Sequence, residues 1–178
     1  MLRIWITLSA IMAAFAPSMA VAAVEITFLS KELGTSFPHA YVALKGTPER
    51  GGGEIDANYG FTATHVSPAI LMGSVKGEII SVDPGYQSRS DRHFTIVLTD
   101  VEYDRVLAEV ERWRALKQPS YNLNRQNCVF FVGAIAAVLG MQADTPQALM
   151  KKPRSYIEML TRSNRAWLQD RAATLHRI

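Results

Sequence analysis

Cysteine is almost absent from this chain of 178 residues, in which Cys128 is the only one. A single thiol cannot form an internal disulfide, which excludes the small disulfide-stapled folds. The four histidines are scattered and give no pair at the spacing of metal ligands, so we expect neither a metal nor another cofactor. The chain must therefore be stabilised by an apolar core, and its length and 48% of hydrophobic residues are ordinary for a globular domain.

Net charge is also low. The formal charge is +3, and no stripe of basic residues alternates with aromatic ones. Proteins that bind the phosphate backbone of nucleic acids concentrate far more positive charge on one face, so nucleic acid is not an expected partner. No internal repeat, low-complexity tract or linker divides the chain. We therefore expect a single folded domain, and we expect it to be a monomer.

The N-terminus begins with an apolar run, and no second apolar stretch is long enough to cross a bilayer. Residues 1–23 contain a single charge at Arg3, an apolar run over 4–15 and a series of small residues at the end. This pattern is typical of a secretory signal peptide, whereas an uncleaved membrane anchor usually has a longer run. We expect cleavage within 20–23, a mature domain over 24–178 without a transmembrane span, and a secreted or periplasmic location.

Alternating and helix-like apolar patterns predict an α+β domain. Thr99 with Glu102, and Ser155 with Glu158, have the spacing of capping boxes. Residues 87–92 are predicted to be a polar loop. We expect a small antiparallel sheet against which the cysteine-bearing helix packs, with further helices around the edge. Strands are predicted over 24–29, 39–44, 54–59, 78–82 and 93–99, and helices over 67–73, 99–116 and 128–140, shortly after 145 and from 155 onwards.

The position of Cys128 suggests chemistry. It lies where the mostly polar segment 122–127 meets the apolar helix. At the first turn of a helix, the dipole and the unpaired backbone N–H groups favour the thiolate, which is a nucleophile. The alternative interpretation of a lone cysteine is a buried and inert small side chain. The polar segment directly before Cys128 favours the functional interpretation.

A cysteine nucleophile needs a base within hydrogen-bonding reach. His39 begins a strand, where side chains project from the end of a sheet, and His93 is the alternative base. His65 lies in a loop, and His176 lies at the C-terminus. Asp56 is on a polar strand face, and a hairpin of suitable register would bring its carboxylate to the imidazole of His39. Position alone favours His39 only slightly over His93.

The order of these parts resembles the circularly permuted papain-like group of the NlpC-type thiol peptidase superfamily, which includes relatives of lecithin:retinol acyltransferase. A histidine begins an early strand, a polar residue follows on the next strand, and Asn127 to Val132 reads Asn-Cys-Val-Phe-Phe-Val, similar to the Asn-Cys-Glu-His-Phe-Val motif of the acyltransferases. The resemblance covers roughly residues 39–139. It implies a permuted papain-like (NlpC-like) fold in which Cys128 is the nucleophile, His39 the general base and acid, and Asp56 the orienting group.

The sequence departs from the acyltransferase pattern at three points. Val129 and Phe130 replace the Glu-His of the motif, Asp56 stands where the acyltransferases have a second histidine, and no membrane anchor follows the cysteine helix. These departures favour a soluble hydrolase. For the oxyanion, the backbone N–H of Cys128 is a natural donor. Side chains that could contact the oxyanion or the substrate are Tyr121, Asn122, Asn124, Gln126 and Asn127, for which helix capping and turn formation are the alternative roles.

The expected function is therefore that of a secreted cysteine hydrolase, an amidase or peptidase that uses a Cys-His-Asp triad through an acyl-enzyme. Its expected partner is a peptide or an acyl-containing small substrate, with the peptides of peptidoglycan or a related small amide as the leading class. One alternative keeps the site but makes the protein an acyltransferase or thioesterase on a lipid or acyl substrate. The other alternative is an exported binding module in which Cys128 is inert.

Overall fold

A computed structural model describes residues 23–32 and 37–177, so the predicted signal peptide falls outside the described residues apart from Ala23. The described chain is α+β, with one six-stranded antiparallel sheet in the order β4-β3-β2-β1-β5-β6. The strands are β1 (Val24–Lys31), β2 (His39–Gly46), β3 (Ile55–Ala63), β4 (Gly77–Ile80), β5 (Asp91–Leu98) and β6 (Thr174–Leu175). The helices are α1 (Ala69–Met72), α2 (Pro84–Ser88), α3 (Asp100–Arg114), α4 (Cys128–Val138), α5 (Pro153–Ser163) and α6 (Arg165–Asp170).

The pairing of β3 changes partway along its length. Its first residues pair with β2, from Ile55 opposite Gly46 to Tyr59 opposite Val42. The remaining residues, from Gly60 to Ala63, pair with β4 instead. The first residues of β2 pair only with β1 on the other side. The ladder between β2 and β3 therefore ends at Val42. The residues of β2 before Val42, which begin at His39, are not paired with β3.

Alternation of side chains along the strands gives the sheet two faces. The helix face carries Ala40, Val42 and Phe61, and α3, α4 and α5 cover it to form the main core. The aromatic contacts of Trp113 with Phe61 and Phe131, at ring-centroid distances of 4.8 and 5.4 Å, join α3 and α4 to the sheet. The opposite face, here the α2 face, carries a smaller cluster of Leu29, Tyr41 and Ala43 packed against Val82 and Tyr86.

Two helix starts show why the sequence folds as it does. The predicted capping box of α3 is present, because Thr99 accepts from the backbone N–H of Glu102 and the Glu102 carboxylate accepts from that of Thr99. The predicted start of the cysteine helix is also confirmed, with Asn127 as the N-cap accepting from the N–H of Val129 at 2.8 Å. Within the described ranges, no helix is long and apolar enough to cross a bilayer.

The second half of the chain differs from the sequence prediction. The predicted polar loop overlaps α2, because Asp83 caps a short helix that begins at Pro84. Residues after Thr145 form turns instead of a short helix. The predicted capping box of Ser155 is not formed, since α5 begins two residues earlier at Pro153. Proline suits the first position of a helix, so Pro153 begins α5.

The predicted C-terminal helix is divided at Asn164. The side chain of Asn164 accepts from the N–H of Gln142 at 2.7 Å and donates to the carbonyl groups of Gln142 and Leu160. These bonds tie the chain to a distant segment at the residue where α5 ends, and α6 begins at the next residue. The short strand β6 follows and extends the sheet beyond β5, opposite Phe94 and Thr95.

Candidate functional site

Cys128 is buried at the first position of α4, with 6% of its surface exposed. Burial raises the pKa of its thiol to about 11. The backbone N–H groups of Ala40, Val129 and Cys128 itself act in the opposite direction and lower that pKa. The N–H of Ala40 can reach the sulfur because β3 does not pair with β2 at this residue. Cys128 is therefore a neutral thiol held against the first residues of β2.

His39 is the first residue of β2 and is 8% exposed. Its ring stacks on that of Tyr41, with centroids 6.0 Å apart and planes at 13°. Burial lowers the pKa of His39 to about 4, so the imidazole is neutral at pH 7. Its Nε2 atom is buried and has no hydrogen-bond partner in the described part of the chain. A buried polar atom without a partner is costly, which makes this nitrogen a candidate for function.

The structure brings Cys128 and His39 to the same point of β2 from different sides. The backbone N–H of Ala40 acts on the sulfur. Ala40 is the residue directly after His39, so this N–H belongs to the peptide bond that joins the two residues. The side chain of Ala40 is on the helix face, so alternation directs the imidazole of His39 to the α2 face. No hydrogen bond joins the thiol to the imidazole among the described residues. The two groups are neighbours along the backbone but are not in reacting contact.

Gly60 provides the space that the imidazole occupies. A Cβ atom at this position would lie 2.3 Å from Nε2 and 3.0 Å from Cε1 of His39. Such distances are far below van der Waals contact, so only glycine allows the ring to lie where it does. An isolated glycine inside a strand pattern indicates that another group approaches the backbone closely. The sequence shows the glycine but does not show which group approaches it.

Replacing Gly60 with alanine is expected to displace the imidazole of His39 and to destabilise the fold by about 1–3 kcal/mol, as in other overpacked sites. The displacement should be visible as a changed chemical shift of the His39 ring protons. Gly53→Ala is the matched control, because a Cβ there meets no atom of the described residues within 4 Å. Equal unfolding free energies and unchanged His39 signals in both variants would contradict this role of Gly60.

Asp56 is not near His39. Asp56 lies opposite Lys45 in the ladder, which is six residues along β2 from His39. At about 3.3 Å per residue this separation is about 20 Å, so the carboxylate cannot orient the imidazole. The register of the hairpin differs from the one that the predicted triad requires. The nearer polar residue on the α2 face is Asn58, whose amide bonds to both backbone groups of Val82 and holds β3 to the segment before α2.

His93, the predicted alternative base, lies elsewhere and is already bonded. Its Nε2 atom shares a 2.8 Å hydrogen bond with the hydroxyl of Ser30, and both residues are buried. Burial lowers the pKa of His93 to about 4, and the nearby carboxylates of Glu158 and Asp91 act against that change. This geometry gives His93 a structural role between β1 and β5. The other two histidines also lie outside the site, since His65 is exposed and His176 bonds to Thr95 at 2.9 Å.

The polar segment before Cys128 is held by its own hydrogen bonds. Asn127 uses both amide hydrogens, donating to the carbonyl groups of Leu123 at 2.8 Å and Met150 at 2.9 Å. Asn122 donates to Ser74 at 3.1 Å and accepts from the N–H of Asn124. An amide has only two hydrogens to donate, so Asn127 is not a free oxyanion donor. The two asparagines therefore shape the segment, and the N–H of Cys128 remains the candidate donor.

Tyr121 is the predicted substrate-contact residue that lies near the thiol. Its ring packs on Phe61 with centroids 5.8 Å apart, and its backbone exchanges two 2.9 Å hydrogen bonds with Val75. Burial is the main cause that raises the pKa of Tyr121, and the charge of a Cys128 thiolate adds to it. Tyr121 thus belongs to the wall that covers Cys128 on the helix face.

Among the described residues, no group of three or more His, Cys, Asp or Glu side chains is arranged to hold a metal ion. Comparison of the chain with protein-family models, with curated proteins and with solved structures gave no match. The assignment of function therefore depends on the geometry of the site and on the sequence pattern.

Proposed function

We propose that this protein is an exported cysteine-dependent hydrolase of acyl bonds with a permuted papain-like fold, in which Cys128 is the nucleophile and His39 the base. The observation that carries the proposal is that the backbone N–H of Ala40 acts on the thiol of Cys128 and lowers its pKa, directly beside a histidine whose buried Nε2 has no partner among the described residues. The antiparallel sheet with the cysteine helix packed on its face is consistent with this class of fold.

The proposed chemistry starts from a neutral pair. With the pKa of the thiol near 11 and that of the imidazole near 4, neither group is charged at pH 7. When the sulfur attacks a carbonyl carbon, the thiol proton passes to His39 and a C–S bond forms. The imidazolium then gives this proton to the leaving group as the acyl bond breaks. Water, deprotonated by His39, finally hydrolyses the thioester and restores the thiol.

This mechanism uses a dyad, because Asp56 is too distant to take part. In the structure the imidazole stacks on Tyr41 and occupies the space at Gly60, on the α2 face. The imidazole must turn about its side-chain bonds toward the sulfur, which lies beside the backbone of the next residue. Backbone N–H groups beside the sulfur are suited to stabilise the negative charge that develops on the carbonyl oxygen of the substrate.

The proposed substrates are peptide amides, with the peptides of the cell wall as the first class to test. The motivation is the export signal expected in residues 1–23. Acyl esters and thioesters would be attacked by the same atoms, so the substrate class is decided by comparing them directly. The burial of Cys128 supports one different function, a binding module with an inert thiol.

The proposal is tested by labelling the folded protein with an electrophilic peptide probe that acylates thiols at pH 7. We expect the wild-type protein to be labelled stoichiometrically and Cys128→Ala not to be labelled, with release of cell-wall peptide fragments lost in the same variant. Denatured wild-type protein is the control for access to the thiol. Labelling that occurs only after denaturation would show that Cys128 is inert and would favour the binding module.

A further inference from the structure

The end of the molecule where α4 begins carries, beside the proposed nucleophile, exposed apolar and basic side chains that the proposed chemistry does not use. We define this end surface by three segments, 64–77, 117–130 and 145–152. The first contains α1, the second leads into α4, and the third lies between α4 and α5. The exposure of its apolar side chains and its charge do not depend on whether Cys128 is a catalyst.

Hydrogen bonds join the three segments into one surface. Val75 and Tyr121 exchange two backbone hydrogen bonds of 2.9 Å, and Asn122 donates to Ser74 at 3.1 Å. The amide of Asn127 donates to the carbonyl of Met150 at 2.9 Å, which adds the third segment. Two adjoining grooves run between the segments and share Asn124 and Lys151 among their lining residues.

Large apolar side chains project from this surface. Leu71 is 78% exposed and Met72 is 88% exposed, and none of the four residues of α1 is buried. The two side chains line one groove together with Lys151, and Phe130 and Met150 line the other. Single exposed apolar residues are common, but adjacent ones on a protruding turn beside partly apolar grooves are typical of a binding surface.

The charge of the end surface has one sign. None of the three segments contains an aspartate or a glutamate, although the whole chain has 16 of them. The five basic residues of these segments are all exposed, and they are Lys76, Lys117, Arg125, Lys151 and Lys152. The three segments are therefore basic, although the exposed Glu78 and Asp144 directly adjoin two of them.

We propose that the end surface binds an anionic lipid bilayer, with Leu71 and Met72 entering the headgroup region and the five basic residues meeting lipid phosphates. Exposed apolar tips surrounded by lysine and arginine are the combination that such a surface recognises. A second copy of this chain is a poorer partner, because two like-charged surfaces would repel one another. A soluble polyanion would use the basic residues but gives no reason for the exposed leucine and methionine.

The experiment measures co-sedimentation of the full chain with vesicles of phosphatidylcholine alone or mixed with phosphatidylglycerol. Leu71→Ser/Met72→Ser is expected to reduce the partition coefficient on anionic vesicles by tenfold or more, because two apolar side chains no longer enter the headgroup region. Lys151→Gln and Lys152→Gln should each reduce it about fivefold. Val97→Ser/Val101→Ser is the matched control, because these valines are 50% and 60% exposed outside the three segments.

A second measurement locates the contact within the chain. An environment-sensitive dye is attached to Met72→Cys or to Val101→Cys in a Cys128→Ser background. On anionic vesicles we expect the emission maximum of the dye to shift to the blue at position 72 only. This readout is local, so it does not depend on how much residues 1–23 contribute to total binding. Equal responses at 72 and 101, or none at either, would overturn the proposal. Binding to a soluble polyanion that is unaffected by Leu71→Ser/Met72→Ser, or self-association through this surface, would assign the surface to those partners instead.

Discussion

Replacing His39 with alanine is expected to lower the rate of acylation of Cys128 by about 10²–10⁴-fold, the usual contribution of a general base. The reason is that the imidazole lies beside the residue whose N–H acts on the sulfur, and within the described ranges its Nε2 has no hydrogen-bond partner. The measurement is the second-order rate constant of the folded protein with the acylating peptide probe at pH 7. The free energy of unfolding is measured in parallel, so that loss of the base is separated from loss of the fold.

Two control variants make this result specific to His39. Asp56→Asn is expected to change the rate by less than twofold, on the order of experimental scatter, because Asp56 is exposed and opposite Lys45. His93→Gln removes a ring bonded to Ser30 and should reduce stability more than reactivity. A loss of reactivity in His93→Gln as large as in His39→Ala, at equal folded fraction, would assign the base to His93.

Stability is expected to decrease steeply as the pH is lowered from 6.5 to 4. The pKa values of His39 and His93 are both lowered to about 4 in the folded protein, from an ordinary value of 6.5. Between these values the unfolded chain binds more protons than the folded one, so acid favours unfolding. Each histidine lowers the free energy of unfolding by about 1.4 kcal/mol per pH unit over this window. Across the whole window the loss is roughly 3 kcal/mol for each of the two histidines. Above about pH 7.5, where the histidines are neutral in the unfolded chain as well, their contribution no longer changes.

Urea unfolding at a series of pH values measures this slope. His39→Gln and His93→Gln should each remove about half of the pH dependence between 6.5 and 4.5, and the double variant should remove most of it. The single variants need not have equal stability at pH 7, because only the slope reports the titration. A slope that persists in the double variant would show that other groups cause the loss of stability in acid.

Much of the sheet and the start of the cysteine helix could be predicted from local patterns. The strand that begins at His39 and the capping box of Thr99 follow from residues within a few positions of each other. The pairing of Asp56 could not be predicted in the same way, because alternation fixes the face of a side chain but not the register of its strand. The division of the last helix was missed because its cause is Asn164 bonding to Gln142, far away in the sequence.

The candidate site was predictable in part. Chain order and the Asn-Cys pattern placed Cys128 and His39 as candidates, and the structure brings the thiol to the backbone beside His39. Gly60 and Ala40 were not recognised, because their importance depends on where the ladder between β2 and β3 ends. The amides of Asn122 and Asn127 have the alternative roles that the sequence allowed, in turn formation and capping.

The central position of β1 has a consequence for the order in which the protein is synthesised. β1 obtains one neighbour early, from β2, but its other neighbour is β5, which begins at Asp91. Until that residue has left the ribosome, one long edge of a largely apolar strand has no partner. Unpaired edges of this kind recruit other chains. Fragments that end before residue 91 are therefore expected to aggregate, whereas fragments that include β5 close that edge.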